Sequence, residues 1–478
     1  MEEEPLSAGP KTTALYESEF CMLISLGAAS LKRELQMENG VVASELPPPK
    51  PRPAILVVDE ETGKIKKKMS APDCLWDLDS DQHDMLMSHY GFIFRFVKYA
   101  GLYIPVHKEN DKHPVVYYIR WLFLGVVTAL ASYQTIRSLL YILFRADYSA
   151  MTALTISMLT CMLTWSFQSI LSIFFCIHWQ RKNYFGDIFH LTHKVNRSAC
   201  ALEAKSWIYF VMKFAGALTA LVVIVCIFTI VAVEAGLSEY FMLDVRALNV
   251  YGNEKLIPLT IIIFTYTFFI WVCCMTEFIL STIVAYFESE YFNRQLATVG
   301  KNGRDTAEEL LEFYLKHCLL ADVIYALDRT FEVYTFVMLG SNIPTTIFSL
   351  LAFFINLRIS WYAAAFTFPS VMVCMITLVG LTAVPAKLHS SVTKIEKILY
   401  TNKYIWAPFC EKTYQIAQVF IAHVNQTDLG VSVWGFAVVS KPLILTTVSL
   451  TITYLSFLLQ MKSSFVPSRV ANSTAATF

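Results

Sequence analysis

Apolar residues dominate seven stretches of the 478-residue chain, near 115–143, 151–179, 207–234, 257–286, 332–356, 362–386 and 436–461. Each is long enough to cross a hydrocarbon core that needs roughly 20 helical residues. In lipid the backbone must satisfy its own hydrogen bonds, so runs of this length predict helices. The pattern therefore predicts an all-α membrane protein with seven transmembrane helices over 115–461. Ahead of them, PPPKPRP at 47–53 and KIKKK at 64–68 mark a polar arm, 1–84, expected to be disordered because its composition cannot bury a core. The apolar run at 20–31 is too short to span and lacks the charged start of a secretion signal. Residues 85–114 read as an amphipathic helix on the membrane surface, and 462–478 as a tail.

Two links between spans are not simple loops. Residues 287–331, broken near 300–303, and 387–435 keep apolar positions at helical spacing. They predict helical projections beyond the membrane, with stripes at 304–328 and at Ile395, Ile398, Leu399, Ile416, Val419 and Phe420. Such stripes are covered either by other subunits or by one another within a single chain.

Charge sets an orientation. Lysine and arginine are dense in the arm and in the links after spans two, four and six (Arg181, Lys182, Arg294, Lys301, Lys387, Lys394 among them), and sparse in the alternating links. The positive-inside rule then predicts a cytoplasmic N-terminus, an extracellular C-terminus and cytoplasmic projections. This polarity is opposite to that of a seven-span G-protein-coupled receptor. Three sequons are present, at Asn196, Asn425 and Asn472, and in this orientation only Asn472 is available for glycosylation.

Only 16% of residues are charged and 55% are hydrophobic, which fits a chain whose main partner is membrane lipid. Zero formal net charge gives no reason to expect nucleic acid. The eleven cysteines are scattered without metal or disulfide spacing, and His190 and His193 beside Asp187 lack a third ligand nearby. With no phosphate loop and no nucleophile–base grouping, neither an enzyme nor a cofactor is expected. Glu277, deep in the fourth span, is the one acid placed as a functional candidate; its alternative is a hydrogen-bonded packing residue.

The last span carries a polar face. Tyr454, Phe457, Gln460 and Met461 recur at spacings of three and four. Repeated around an axis, this face would form a ring of Phe and Met beside a ring of amides, a hydrophobic gate with a polar filter. Ordinary helix packing held by small and polar side chains is the alternative.

The same residues carry a resemblance. Thr453-Tyr454, five mostly apolar residues, then Gln460-Met461 is similar to the closing motif of insect gustatory receptors and their nematode relatives, with Met461 where that family has Phe. Gly430, Trp434-Gly435-Phe436 and Leu443, Ile444 and Leu445 resemble the segment leading into that helix. The resemblance implies a stimulus-gated, non-selective cation channel in the plasma membrane of sensory neurons. It implies a homotetramer, or a hetero-oligomer with related receptors, joined through the projections, with the last helix lining the pore. Its stimulus would be a small molecule, light or peroxide. A ligand pocket among the outer halves of spans two to six would draw, by position, on Tyr266, Phe269, Glu277, Trp361, Tyr362, Phe366 and Phe368. Two other readings stand beside it, a receptor signalling through a partner channel or G protein and a secondary transporter. No inverted repeat favours the latter, although Pro344, Pro369 and Pro385 interrupt spans.

Overall fold

A computed structural model describes residues 57–58, 65–66, 114–145, 153–195, 200–236, 250–301, 303–359, 361–426 and 428–465. The predicted surface helix at 85–114, apart from residue 114, and the tail carrying Asn472 lie outside them. In the arm, β1 (Val57–Val58) pairs antiparallel with β2 (Ile65–Lys66), a small ladder that the composition did not announce.

The remaining elements are helical: α1 (Pro114–Leu140, ending in a π turn), α2 (Ala153–Lys182), α3 (Tyr184–Val195), α4 (Cys200–Glu234), α5 (Ile257–Leu296), α6 (Thr306–Ile359), α7 (Trp361–Thr401), α8 (Lys403–Trp406), α9 (Glu411–Gln426) and α10 (Lys441–Phe465). Among the described residues, seven are long and apolar enough to cross a membrane: α1, α2, α4, α5, α6, α7 and α10. Large apolar side chains such as Leu122, Phe144, Ile224 and Ile227 lie exposed on α1 and α4, as lipid-facing helices require.

Length decides where the projections come from. α6 has 54 residues, about 80 Å at 1.5 Å per residue, against a hydrocarbon core of roughly 30 Å. α5 and α7, at 40 and 41 residues, also overrun it. α6 and α7 are joined across residue 360 at one end, here the short-loop end, so the excess of all three helices emerges together at the other, the projection end. There α9 joins them. Phe292 meets Phe313 edge-on, and fully buried Phe420 packs against Tyr314 and His317. Ser289 and Asn293 of α5 bond to Ser391 of α7, and Asn402 donates to the Val299 carbonyl. Ile395, Leu399 and Phe420 are therefore covered within one chain, whereas Leu311, Leu315 and Val419 stay exposed.

One element is added to the expected set and one boundary is corrected. Residues 184–195, in the second link, form α3, which packs along α6. The last helix does not begin at 436. It begins at Lys441, and a tight hairpin occupies the residues before it.

Candidate functional site

Two regions combine functional residue types with unusual placement. The first is a polar seam inside the bundle. α2 presents Cys161, Thr164 and Gln168 at steps of three and four, and α6 presents Ser341, Thr345 and Ser349 at steps of four. Because the two helices run antiparallel, these meet in order. Gln168 Nε2 donates to Ser341 Oγ at 3.0 Å, Thr345 Oγ1 to Thr164 Oγ1 at 2.8 Å, and Cys161 Sγ lies 2.9 Å from Ser349 Oγ. α7 closes the seam: Ser370 Oγ lies 3.2 Å from Ser349 Oγ, and Thr377 donates to the Asn342 amide oxygen at 3.3 Å. Pro344 adds to it, since proline leaves the carbonyl four residues earlier, that of Gly340, without its helix donor.

Beside the seam runs an aromatic line. Trp165 packs on Phe264 and Phe268 of α5, and Phe268 on Trp271. Three buried polar atoms along it, Gln168 Oε1, Ser169 Oγ and Trp271 Nε1, have no partner among the described residues. An unpaired buried polar atom costs about 1–3 kcal/mol, so such a cluster suits water or the polar groups of a ligand. Near the short-loop end Tyr251 stacks on Tyr133, and the Gln134 amide donates to its hydroxyl at 3.1 Å. Burial pushes the Tyr251 phenol up, partly offset by that donor.

The pocket residues expected from position are not gathered here. Tyr266 meets Phe123 of α1 edge-on at 5.6 Å, and Phe269 is half-buried. Trp361 and Tyr362 are exposed at the start of α7, their rings 3.8 Å apart, while exposed Phe368 lies 6.1 Å from Phe353. The Phe366 side chain lies outside the described ones. Glu277 is buried, with Oε2 unpartnered among the described residues, roughly 16 Å further along α5 than Tyr266 at the helical rise. Sequence reasoning weighed aromatics, Trp165 and Trp271 among them, and charges, and passed over Gln168, Asn342, Thr345 and Ser349. Their signal was legible as neutral polar residues at helical spacing inside apolar spans.

The second region is α10. Thr447 and Thr451 are buried and bond back to their own helix. Leu455, Leu458 and Leu459 pack on a small cluster of Leu351, Ala352 and Ile355 of α6. Tyr454 and Phe457, 53% and 48% exposed, and exposed Gln460 lie to one side of that leucine seam. Thr453 bonds back to the Ser449 carbonyl. The Met461 side chain is outside the described ones. Tyr454, Phe457 and Gln460 of the motif-bearing face thus stay exposed beside leucines that are packed.

A sequence model described as 7tm chemosensory receptor matches residues 90–465. Among solved structures, the chain is similar to the insect olfactory receptor OR5 from Machilis hrabei, at a TM-score of 0.55 and 12% identity, covering 78% of this chain and 99% of that one. The same receptor in complex with eugenol is matched at a TM-score of 0.53 and 11% identity, with the same coverage. Against curated proteins, no match is found.

Proposed function

Since the chain belongs to the 7tm chemosensory receptor family, we propose that it is a gustatory-type receptor that is itself a stimulus-gated, non-selective cation channel, built from four copies. The observation that carries this is the face of α10, where Tyr454 and Phe457 stay exposed while the leucines beside them are packed. Arranged around a common axis, four such faces line a path in which Phe457, with Met461, excludes water and Gln460 supplies a polar ring. Exposed Leu311, Leu315 and Val419 at the projection end are the surfaces on which the copies meet. The stimulus is a small amphipathic molecule held along the polar seam, where aromatic walls meet unpartnered amide, hydroxyl and indole atoms. It shifts closed toward open only by binding the two states with different affinity. Eugenol bound to the olfactory receptor is a ligand of this chemical kind.

The test is whole-cell current from this chain expressed alone, challenged with sugars, bitter compounds, eugenol, peroxide and short-wavelength light. Stimulus-dependent current that reverses near zero supports the reading. Surface protein that passes current only when another channel is supplied favours a receptor acting through a partner.

In this reading the projections lie in the cytoplasm and the C-terminus outside. Asn425 then belongs to the inner bundle, where its amide donates to Glu396 at 3.2 Å. The expected result is a glycosidase-sensitive mobility shift abolished by Asn472→Gln alone. A shift that survives Asn472→Gln and disappears with Asn196→Gln or Asn425→Gln would reverse the orientation.

A further inference from the structure

Between α9 and α10 the chain makes a hairpin whose anchorage is unusual. The Val439 N–H donates to the Val431 carbonyl at 2.9 Å, Val433 N–H to Ala437 at 2.8 Å and Phe436 N–H to Val433 at 3.1 Å. At its tip Trp434 and Gly435 both take left-handed backbone, with φ of 51° and 68°. Glycine adopts this freely; a bulky tryptophan does so only where its surroundings over-determine it. Gly430 is favoured by crowding, because a Cβ there would run into Val438 Cγ1.

What over-determines the tip is α6. Asp328 Oδ1 accepts the Ser432 backbone N–H at 2.6 Å, the Glu332 carbonyl accepts from Trp434 N–H at 3.2 Å, and the Trp434 ring lies 4.9 Å from Phe336. Asp328, Glu332 and Phe336 are spaced by four, so a single stripe of α6 seats the whole hairpin. On the other side, the Leu429 carbonyl accepts from His389 Nδ1 of α7 at 3.1 Å. α10 starts at Lys441, two residues beyond Val439, so the seat of the hairpin sets where the last helix begins. The same α6 carries Ser341, Thr345 and Ser349 of the polar seam just beyond Phe336.

We infer that Asp328 is a positioning residue that couples the bundle to the last helix, by pinning the 431–439 hairpin so that a shift of α6 is delivered to the base of α10. The coupling rests on the channel reading above; the pin itself does not. A charge-assisted hydrogen bond to a backbone N–H suits the task, being directional and about twice as strong as a neutral one. Asp328→Ala removes the acceptor, whereas Asp328→Asn keeps an acceptor oxygen in the same place.

Two measurements on the full-length protein separate pin from coupling. In detergent, hydrogen exchange of the amides of Ser432 to Trp434 should accelerate at least about tenfold in Asp328→Ala and much less in Asp328→Asn. Unchanged exchange in Asp328→Ala would overturn the pin, and the coupling with it. In cells, stimulus-free current is recorded in a Phe457→Ala background, with surface protein quantified. Adding Asp328→Ala should change that current severalfold at equal surface level, and Asp328→Asn should restore it. Faster exchange with unaltered current would reduce the hairpin to a passive linker and overturn the coupling. No current from Phe457→Ala itself would overturn the pore reading and the coupling that rests on it, while the exchange result still decides the pin.

Discussion

Phe457→Ala should raise the current that the chain passes without any stimulus by on the order of tenfold or more. Phe457 is about half exposed, on the side of α10 away from its contacts with α6. In the proposed ring of four, these side chains would keep the path dry. A Phe moved between water and an apolar setting is worth about 1.5–3 kcal/mol, and 1.4 kcal/mol is already a factor of ten in a closed–open equilibrium. Replacing all four by Ala lets water into the constriction and favours conduction. Gln460→Glu should leave the gate closed but place four carboxylates in the adjoining ring, shifting the reversal potential in divalent solutions or producing divalent block. Stimulus potency should move far less than conductance in both. If both variants reach the surface and neither alters basal current or reversal potential, α10 does not line a pore.

A second large effect is expected at the projection end, and it separates folding from assembly. Phe420 is fully buried against Tyr314 and His317 of its own chain. Truncating a buried Phe costs about 3–5 kcal/mol, and an unpaired carboxylate in its place costs several more. Phe420→Asp should therefore unfold the projection bundle, seen as lost protection of α9 in hydrogen exchange and little protein at the surface. Leu311 is 43% exposed and spends little on folding, so Leu311→Asp should change single-chain stability by no more than about 0.5 kcal/mol. If exposed Leu311 and Leu315 are where copies meet, that same variant should run as a monomer in detergent while still inserting in the membrane. Wild-type protein that bleaches as one subunit per particle would remove the assembly, and the channel of four copies with it.

Some elements were legible because one physical requirement dominates them. The span of α4 is almost continuous apolar sequence, and no other secondary structure satisfies its backbone in lipid. The overruns of α5, α6 and α7 were visible as amphipathic stripes, although hydropathy cut each helix at the membrane surface while the helix simply continues. The hairpin was lost for the opposite reason. Phe436 to Val439 is apolar enough to merge with the span that follows, Val431 to Gly435 were absorbed into the projection before it, and Gly435 at the tip was a weak sign of a turn.

Side-chain chemistry was legible in kind but not in partnership. Periodicity alone placed Tyr454, Phe457 and Gln460 together, since three and four residues along one helix are neighbours whatever surrounds it. Glu277 stood out for the same local reason, an acid within an apolar run. Which helix faces which is a different matter, because it depends on packing among elements far apart in the chain. The pairing of Gln168 with Ser341 spans 173 positions, and that of Asp328 with Ser432 spans 104. Seven helices, their approximate limits and the polar face of the last one follow from local hydropathy and period. The seam between α2 and α6, the self-coverage of Phe420 and the seat of the hairpin on α6 exist only once the helices pack, because each needs two distant surfaces to meet in one register.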